Sequence, residues 1–332
     1  MKRFEHFNAK TVDDAISLLE KYNGEAMVIA GGTDLIRILK DDVLPTYPKA
    51  IINLKTIPGL DYIKEENGTL KIGTLTKLHD ISTSSLVKTK YSLLAEACRS
   101  VGSPQIRYMG TIGGNLCQHV QCWYYRASKS LGIAFRCLRK GGNVCYAISG
   151  DNRFHSIFGG KGCVAVCSSD AAVASTALGG SVKVKGPSGE RVIPIDDFYT
   201  NIGAKLEIGD IITEIQIPEP QADSKQVWIK FRLRNSLEFA IVSVAAMLKL
   251  KAEDAICENA KILLGAVAPT PKRATEAEET IKGRAINEKT AEEASKMAVA
   301  KAIPLNHNAY KIAITKSLVK RAILMAKEQA SL

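Results

Sequence analysis

Cysteine side chains are concentrated in one part of this chain. Six of the eight cysteines lie between positions 117 and 167, beginning in the stretch NLCQHVQCWYYR. Zinc sites favour close C-x2-C pairs, and none is present here. Disulfides are disfavoured in a chain without a recognisable secretory signal. An iron–sulfur cluster needs four thiolates but no fixed short spacing, so this pattern favours iron–sulfur chemistry.

Two glycine-containing turns, AGGTDL at 30–35 and GTIGGNL at 110–116, could bind an anion. Glycine lets ligand phosphates approach the backbone closely, and successive N–H groups can hold them. Neither turn fits the G-x-G-x-x-G or P-loop pattern. Glycine pairs also occur at 141–142, 159–160 and 179–180. From the residues alone, phosphate binding and simple strand termination both remain open.

Size and composition indicate an ordinary globular protein. The chain has 332 residues, of which 46% are hydrophobic and 24% charged, enough for two or three domains. No apolar run approaches the ~20 residues that span a bilayer. The start, MKRFEHFNAKT, has no apolar signal region, so we expect a cytoplasmic protein. The net charge of +11 is spread along the chain, so we expect no nucleic-acid binding.

Local patterns predict the elements that must position these residues. TVDDAISLLEKY predicts a helix capped by Thr11, Asn67-Gly68 predicts a hairpin, and CVAVCSSD at 163–170 predicts a strand that runs into a turn. The polar stretch PEPQADSKQ at 218–226 predicts a domain boundary. Strand-like runs follow it, and helical sequence extends from Pro271 to Leu332. Strands followed by helices are typical of an α+β unit.

Several stretches together resemble a known family. The two glycine turns, SSD at 168–170, DDFYTN at 196–201, AVAPTPKRA at 266–274 and AIPLNHNAYK at 302–311 are similar to flavin subunits of molybdenum hydroxylases, the xanthine dehydrogenase and carbon monoxide dehydrogenase medium subunits. The resemblance runs the whole length and implies an α+β fold. Residues 1–220 would form a two-part FAD-binding domain of the molybdopterin dehydrogenase and vanillyl-alcohol-oxidase-like type. Residues 226–332 would form a smaller α+β C-terminal domain.

The resemblance also implies flavin-binding residues. The family's two FAD-pyrophosphate loops match Ala30, Gly31, Gly32, Thr33, Asp34 and Leu35 in the first turn, and Thr111, Gly113, Gly114 and Asn115 in the second. Asp170 matches an aspartate near the flavin ribityl chain, and Lys230 a lysine near the isoalloxazine ring. One departure is SSD where relatives usually have PSD, with Cys167 in place of a common histidine.

The 46 residues 117–162 lie between the second turn and SSD, whereas the two are nearly adjacent in most members. Long loops in compact domains are usually functional. This one resembles an insertion in 4-hydroxybenzoyl-CoA reductase flavin subunits and some bacterial aldehyde oxidoreductases, where four cysteines hold a 4Fe-4S cluster. The resemblance implies Cys122, Cys137 and Cys145 as ligands. Cys163, at the far edge of the proposed cluster-binding region 117–163, would be the fourth. Cys117 and Cys167 remain alternatives for the fourth, and a buried free cysteine remains the alternative at every position.

The implied function is that of a redox subunit, not a complete enzyme. The chain has no plant-type C-x4-C-x2-C motif, so two-iron clusters are expected elsewhere. The resemblance implies a small 2Fe-2S subunit and a molybdopterin-binding large subunit as partners. Ferredoxin or NAD would be the external electron partner. A stand-alone FAD-dependent oxidoreductase and a non-catalytic assembly or scaffold protein on the same fold are the alternatives. The substrate would bind the large subunit and is not encoded here.

Overall fold

The computed structural model describes residues 1–251 and 255–330 of the chain. Within these residues, three sheets and a short two-stranded ribbon are flanked by helices. No helix among them is both long enough and apolar enough to cross a membrane. The fold is therefore mixed α and β, and its units meet around the glycine turns.

The first unit is a parallel three-stranded sheet with two helices. Its elements are β1 (Glu5–Asn8), α1 (Val12–Lys21), β2 (Ala26–Ile29), α2 (Leu35–Lys40) and β3 (Ala50–Asn53). The central strand β3 pairs with both β1 and β2. The Oγ1 of Thr11 accepts the backbone N–H of Asp14 at 3.0 Å, which confirms the predicted cap of α1. Because β2 ends at Ile29, the first glycine turn begins at the carboxyl edge of this sheet.

The second unit begins with the predicted hairpin and a series of short helices. Its first elements are β4 (Ile63–Glu66), β5 (Thr69–Gly73), α3 (Leu78–Thr83), α4 (Ser85–Lys90), α5 (Ser92–Arg99), α6 (Pro104–Met109) and α7 (Ile112–Leu116). Asn67 and Gly68 both have positive φ, 52° and 67°, as a two-residue hairpin turn requires. The second glycine turn, 110–116, begins after α6 with Gly110 and Thr111, and its remaining residues form α7, which Thr111 caps.

The insertion contains only single helical turns. These are α8 (Trp123–Arg126), α9 (Tyr146–Ser149) and the 3-10 turns Lys129–Leu131 and Leu138–Lys140. Val120 and Tyr125 are buried against Ile38 and Leu39 of α2. The insertion therefore packs on the first unit.

The strand predicted within CVAVCSSD is wrong. Residues 163–169 have no regular secondary structure. The Cys167 N–H donates to the carbonyl of Ala268, and the Val164 carbonyl accepts from the Ser156 N–H, both at 2.9 Å. This apolar segment is extended and buried, but its hydrogen-bond partners lie in loops, so no ladder forms.

The second unit closes with an antiparallel sheet. The remaining elements are α10 (Asp170–Ala177), β6 (Ser181–Gly186), β7 (Gly189–Pro194), α11 (Ile195–Phe198), the ribbon β8 (Tyr199–Thr200) and β9 (Gly203–Ala204), and β10 (Ile211–Pro218). The strand order is β4-β5-β10-β6-β7. Ile215 of β10 stands opposite Ile72 and Val182, and all three are fully buried. This sheet and α10 form one wall of the site described below.

The third unit is an antiparallel sheet covered by helices, as the sequence predicts. It consists of β11 (Ser224–Phe231), β12 (Val242–Leu250), β13 (Cys257–Gly265), β14 (Lys272–Arg273), α12 (Thr275–Ile281), α13 (Glu288–Met297) and α14 (Tyr310–Ala330). The strands pair in sequential order. The predicted boundary segment 218–226 runs from the last residue of β10 into the start of β11, with residues 219–223 between the two strands, and it stays a prediction.

Candidate functional site

A cleft of about 800 Å³ lies where the three units meet. It is lined by both glycine turns, by α10 and by β11. All twelve flavin-binding residues expected from the sequence line it: Ala30, Gly31, Gly32, Thr33, Asp34, Leu35, Thr111, Gly113, Gly114, Asn115, Asp170 and Lys230. Residues separated by up to two hundred positions are thus brought together at one cavity.

The first glycine turn presents unpaired backbone donors to this cleft. Among the described residues, no protein acceptor pairs with the N–H groups of Gly31, Gly32, Thr33 or Asp34. Gly32 has φ +72°, and a Cβ on Gly31 would overlap the carbonyl oxygen of Met109. Four successive free N–H groups in a tight turn are suited to an anion such as a pyrophosphate.

The second glycine turn is built differently, because its N–H groups are already used. Gly113 donates to the Thr74 carbonyl at 3.0 Å, Asn115 donates to the Thr111 carbonyl at 2.9 Å, and Gly114 donates to Thr111 Oγ1 at 3.2 Å. A Cβ on Gly113 would overlap the Thr74 hydroxyl. This turn therefore forms a closely packed wall, and the available amides are on the first turn.

A buried ion pair closes the cleft beside α10. Lys230 Nζ lies 2.6 Å from Asp170 Oδ2, and the two side chains are only 4% and 6% exposed. Lys230 also donates to the carbonyl of Ser100 at 3.0 Å. Burial raises the pKa of the Asp170 carboxyl, and the Lys230 ammonium opposes that rise. The pair fixes both side chains at the cavity wall.

Asp34 has a second role that the sequence does not reveal. Its carboxylate lies 2.6 Å from Nη2 of Arg126 and accepts the backbone N–H of His119 at 2.9 Å. Arg126 also donates to the carbonyls of Val120 and His119, each at 2.9 Å. The first glycine turn is thereby tied directly to the insertion.

The six clustered cysteines separate into three locations. Cys122, Cys137, Cys145 and Cys163 line one small cavity within the insertion. Cys117 lines the large cleft, and Cys167 lines a third cavity of about 150 Å³ between the other two. In the described part of the chain, no three His, Cys, Asp or Glu side chains are arranged to hold a single metal ion. The small cavity is therefore not a preformed zinc site.

The four-cysteine cavity has polar and aromatic surroundings. Nε2 of His155 is 3.2 Å from Cys122 Sγ, and Arg139 Nε donates to Cys163 Sγ at 3.1 Å. Burial raises the pKa of the Cys122 thiol to about 11, although the backbone N–H groups of Tyr125 and Tyr124 oppose the rise. Aromatic rings contact one another along one side, from Trp123 and Phe154 to Tyr124, Phe135 and Tyr146.

His119 lies away from the four-cysteine cavity. Its Nδ1 is 2.7 Å from the Tyr125 hydroxyl, and its ring lines the large cleft. The insertion contains two histidines, His119 and His155, and of these only His155 contacts one of the four cysteines. Arg139 was not singled out by the sequence, since its sulfur contact spans 24 positions.

Comparison with known proteins places these features in a family context. The sequence-family model described as the FAD binding domain in molybdopterin dehydrogenase matches residues 2–220. The family model described as the CO dehydrogenase flavoprotein C-terminal domain matches residues 229–326. The chain is 29% identical to the aldehyde oxidoreductase FAD-binding subunit PaoB of Escherichia coli, covering 99% of this chain and 100% of that protein. It is 30% identical to the nicotinate dehydrogenase FAD-subunit of Eubacterium barkeri, covering 88% and 84%. A solved carbon monoxide dehydrogenase from Hydrogenophaga pseudoflava superposes with a TM-score of 0.77 at 26% identity, covering 98% of both chains.

Proposed function

Because this chain belongs to the FAD-binding subunits of the molybdenum hydroxylase family, we propose that it carries both FAD and a 4Fe-4S cluster and transfers electrons within a larger complex. It would pass electrons between an external redox partner and the iron–sulfur and molybdenum subunits. One observation carries the proposal: the same chain builds both the flavin cleft and the four-cysteine cavity, with one intermediate cavity joining them.

The cleft fits FAD. Its size, the free N–H groups of residues 31–34 and the buried Asp170–Lys230 pair are suited to a long ligand with an anionic centre. Gly31, Gly32 and Thr33 would hold the pyrophosphate, Asp170 the ribityl chain, and Lys230 the isoalloxazine end. When bound, FAD exchanges two electrons with one carrier and single electrons with iron–sulfur centres. The protein orients the cofactor and limits its contact with water.

The small cavity fits a cluster held by Cys122, Cys137, Cys145 and Cys163. All four line one cavity, which favours Cys163 as the fourth ligand. Cys117 lines the large cleft, and Cys167 shares only the intermediate cavity with Cys122. The adjoining aromatic side chains would limit the access of water, which tunes the potential of such a centre.

The two sites are contiguous. Gln121 lines the large cleft, and its neighbour Cys122 lines the four-cysteine cavity. The intermediate cavity is bordered by both residues and by Asp170. A cluster held by Cys122 would therefore lie close to the flavin, with no other subunit between them.

The proposed partners follow from the family. Membership in it supports a small 2Fe-2S subunit and a molybdopterin-binding large subunit as separate chains. For the external partner, residues 117–162 carry seven Lys or Arg residues against one Asp. Arg136, Arg153 and Lys161 are exposed. Of these, Arg153 is paired with Asp151 at 2.7 Å. Positive charge would attract an acidic protein such as ferredoxin and the anionic pyrophosphate of NAD alike, so we propose ferredoxin or NAD as the external partner.

The test is the cofactor content of the intact complex, purified without oxygen. FAD and iron are measured for the wild type and for Cys→Ser variants at each of the six clustered cysteines, with Cys98 and Cys257 as buried controls. Loss of about four irons is expected at Cys122, Cys137, Cys145 and Cys163. Retention at Cys163 with loss at Cys117 or Cys167 would reassign the fourth ligand.

Three other results would overturn parts of the proposal. Iron retained in every variant, or zinc in its place, would remove the cluster. A fully active oxidoreductase made of this chain alone would favour the stand-alone enzyme. A folded complex without FAD would favour a scaffold role.

A further inference from the structure

We infer that Arg139 sets the reduction potential of the four-cysteine cluster by donating its Nε–H to the sulfur of Cys163. The inference rests on the proposed 4Fe-4S site and goes beyond it, because it assigns a residue that is not a ligand. Arg139 lies two positions after Cys137 and 24 positions before Cys163.

The position of the Arg139 guanidinium is fixed on three sides. Nε donates to Cys163 Sγ at 3.1 Å, Nη1 to the carbonyl of Ile202 at 2.6 Å, and Nη2 to the carbonyl of Asn201 at 2.8 Å. The two carbonyls belong to the turn between β8 and β9, which lies outside the insertion. The hydrogen bond to sulfur is thus held by the flavin-binding unit.

The contact with Cys163 is chemically distinct from those of the other three cysteines. Among the described residues, Arg139 is the only permanently charged side chain that hydrogen-bonds to one of the four sulfurs. Cys122 lies 3.2 Å from Nε2 of His155, which is an imidazole and not a permanently charged guanidinium. Lys140 is buried nearby without a hydrogen bond to sulfur.

The effect on the potential has a definite sign. Reduction adds negative charge to the cluster and its thiolates. A hydrogen bond from a cation strengthens as that charge grows, so it stabilises the reduced form more than the oxidised form. Cys163 is only 6% exposed, and weak screening by water strengthens the effect. Arg139 should therefore raise the reduction potential and make the cluster a better electron acceptor.

The experiment is a redox titration of the purified complex, followed by EPR of the reduced cluster. Arg139→Gln removes the charge and the Nε–H, whereas Arg139→Lys keeps the charge but removes the guanidinium. Arg136→Gln is the matched control, because Arg136 is exposed, precedes Cys137 and carries the same charge without contacting a sulfur. Iron and FAD content are measured first in every variant, and the flavin potential serves as an internal reference.

We expect Arg139→Gln to retain iron and to shift the cluster potential negatively. At the wild-type midpoint, the ratio of reduced to oxidised cluster should fall about tenfold, which is 59 mV for one electron. Arg139→Lys should give a smaller shift, and Arg136→Gln should change the ratio less than about twofold.

Two results would overturn the inference while the cluster itself stands: an unchanged potential in an iron-replete Arg139→Gln complex, or an equal shift in Arg136→Gln. Loss of iron in both Arg139 variants would make Arg139 an assembly residue and would also overturn it. An iron-free wild-type complex is a different failure, since it refutes the proposed function on which the inference rests.

Discussion

The ion pair between Asp34 and Arg126 should couple the insertion to flavin binding. It joins the first glycine turn to α8 through an O–N distance of 2.6 Å, and the Asp34 and Arg126 side chains are 23% and 9% exposed. Arg126→Met removes this pair and two further bonds to the carbonyls of Val120 and His119. We predict that this variant is less stable and binds FAD more weakly.

The magnitude follows from partial burial. Exposed ion pairs contribute about 0.2–1 kcal/mol, whereas breaking a buried pair costs about 3–5 kcal/mol. Asp34 retains some exposure and its bond from the His119 N–H, so we expect a loss of about 2 kcal/mol in the free energy of unfolding. The first turn would then be less ordered before FAD binds. An affinity loss of about tenfold, or 1.4 kcal/mol, is expected.

A double-mutant cycle with Asp34→Asn provides the assay, with urea unfolding and FAD titration as the two measurements. The coupling free energy should be about 1–2 kcal/mol, since the groups are in direct contact. Arg99→Met is the control, because its pair with Glu96 is 69% and 52% exposed and should contribute at most about 0.5 kcal/mol. If Arg126→Met were no more destabilising than Arg99→Met, or if the cycle were additive, the reasoning would be refuted.

Three further predictions concern the glycine turns and a buried lysine. Gly114→Val should remain folded, because a Cβ there meets only Thr111 Oγ1 at 3.0 Å, yet lose the flavin absorbance; full flavin content would contradict the loop assignment. Gly31→Ala should instead lower stability by about 1–3 kcal/mol, since its Cβ overlaps backbone at Met109; an unchanged urea midpoint would argue against this packing. Burial lowers the pKa of Lys311 from 10.5 to about 7, so the unfolded chain binds more protons between these values and stability should rise with pH through that window. Lys311→Met should remove about 2 kcal/mol of the gain in unfolding free energy between pH 7 and 9, and an unaltered pH slope would be inconsistent with a neutralised buried lysine.

The residues of the cleft that belong to the glycine turns could be predicted because each turn is a local motif, and their role in flavin binding stays a prediction. Each glycine turn is a short motif. The twelve residues expected from the two turns and from the family resemblance all line one cleft. The roles of the two turns could not be separated in advance. Whether their N–H groups are free depends on residues that are distant in sequence. The carbonyls of Thr74 and Thr76 accept N–H groups of the second turn, whereas no described residue accepts those of Gly31 to Asp34 in the first.

The choice among six cysteines was not decided by sequence for the same reason. Spacing alone could not distinguish Cys163 from Cys117 or Cys167, because the path of the intervening loop determines which thiols meet. In the structure Cys163 shares a cavity with the other three candidates. The incorrect strand at 163–167 has a related origin, since its apolar composition suits a strand but its partners are loops near Ala268.

An insertion with so little regular structure needs other contacts to hold a rigid site. Arg126 binds the first glycine turn at Asp34, Arg139 binds the turn between β8 and β9, and Lys311 of α14 donates to the carbonyl of His155 at 3.1 Å. These bonds connect the loop to all three units around the cleft. The bonds from Arg126 to Asp34, from Arg139 to the Asn201 carbonyl and from Lys311 to the His155 carbonyl are directional and at least partly buried, so together they restrict the loop. A cluster held there would keep a fixed distance from the flavin, as electron transfer between the two requires.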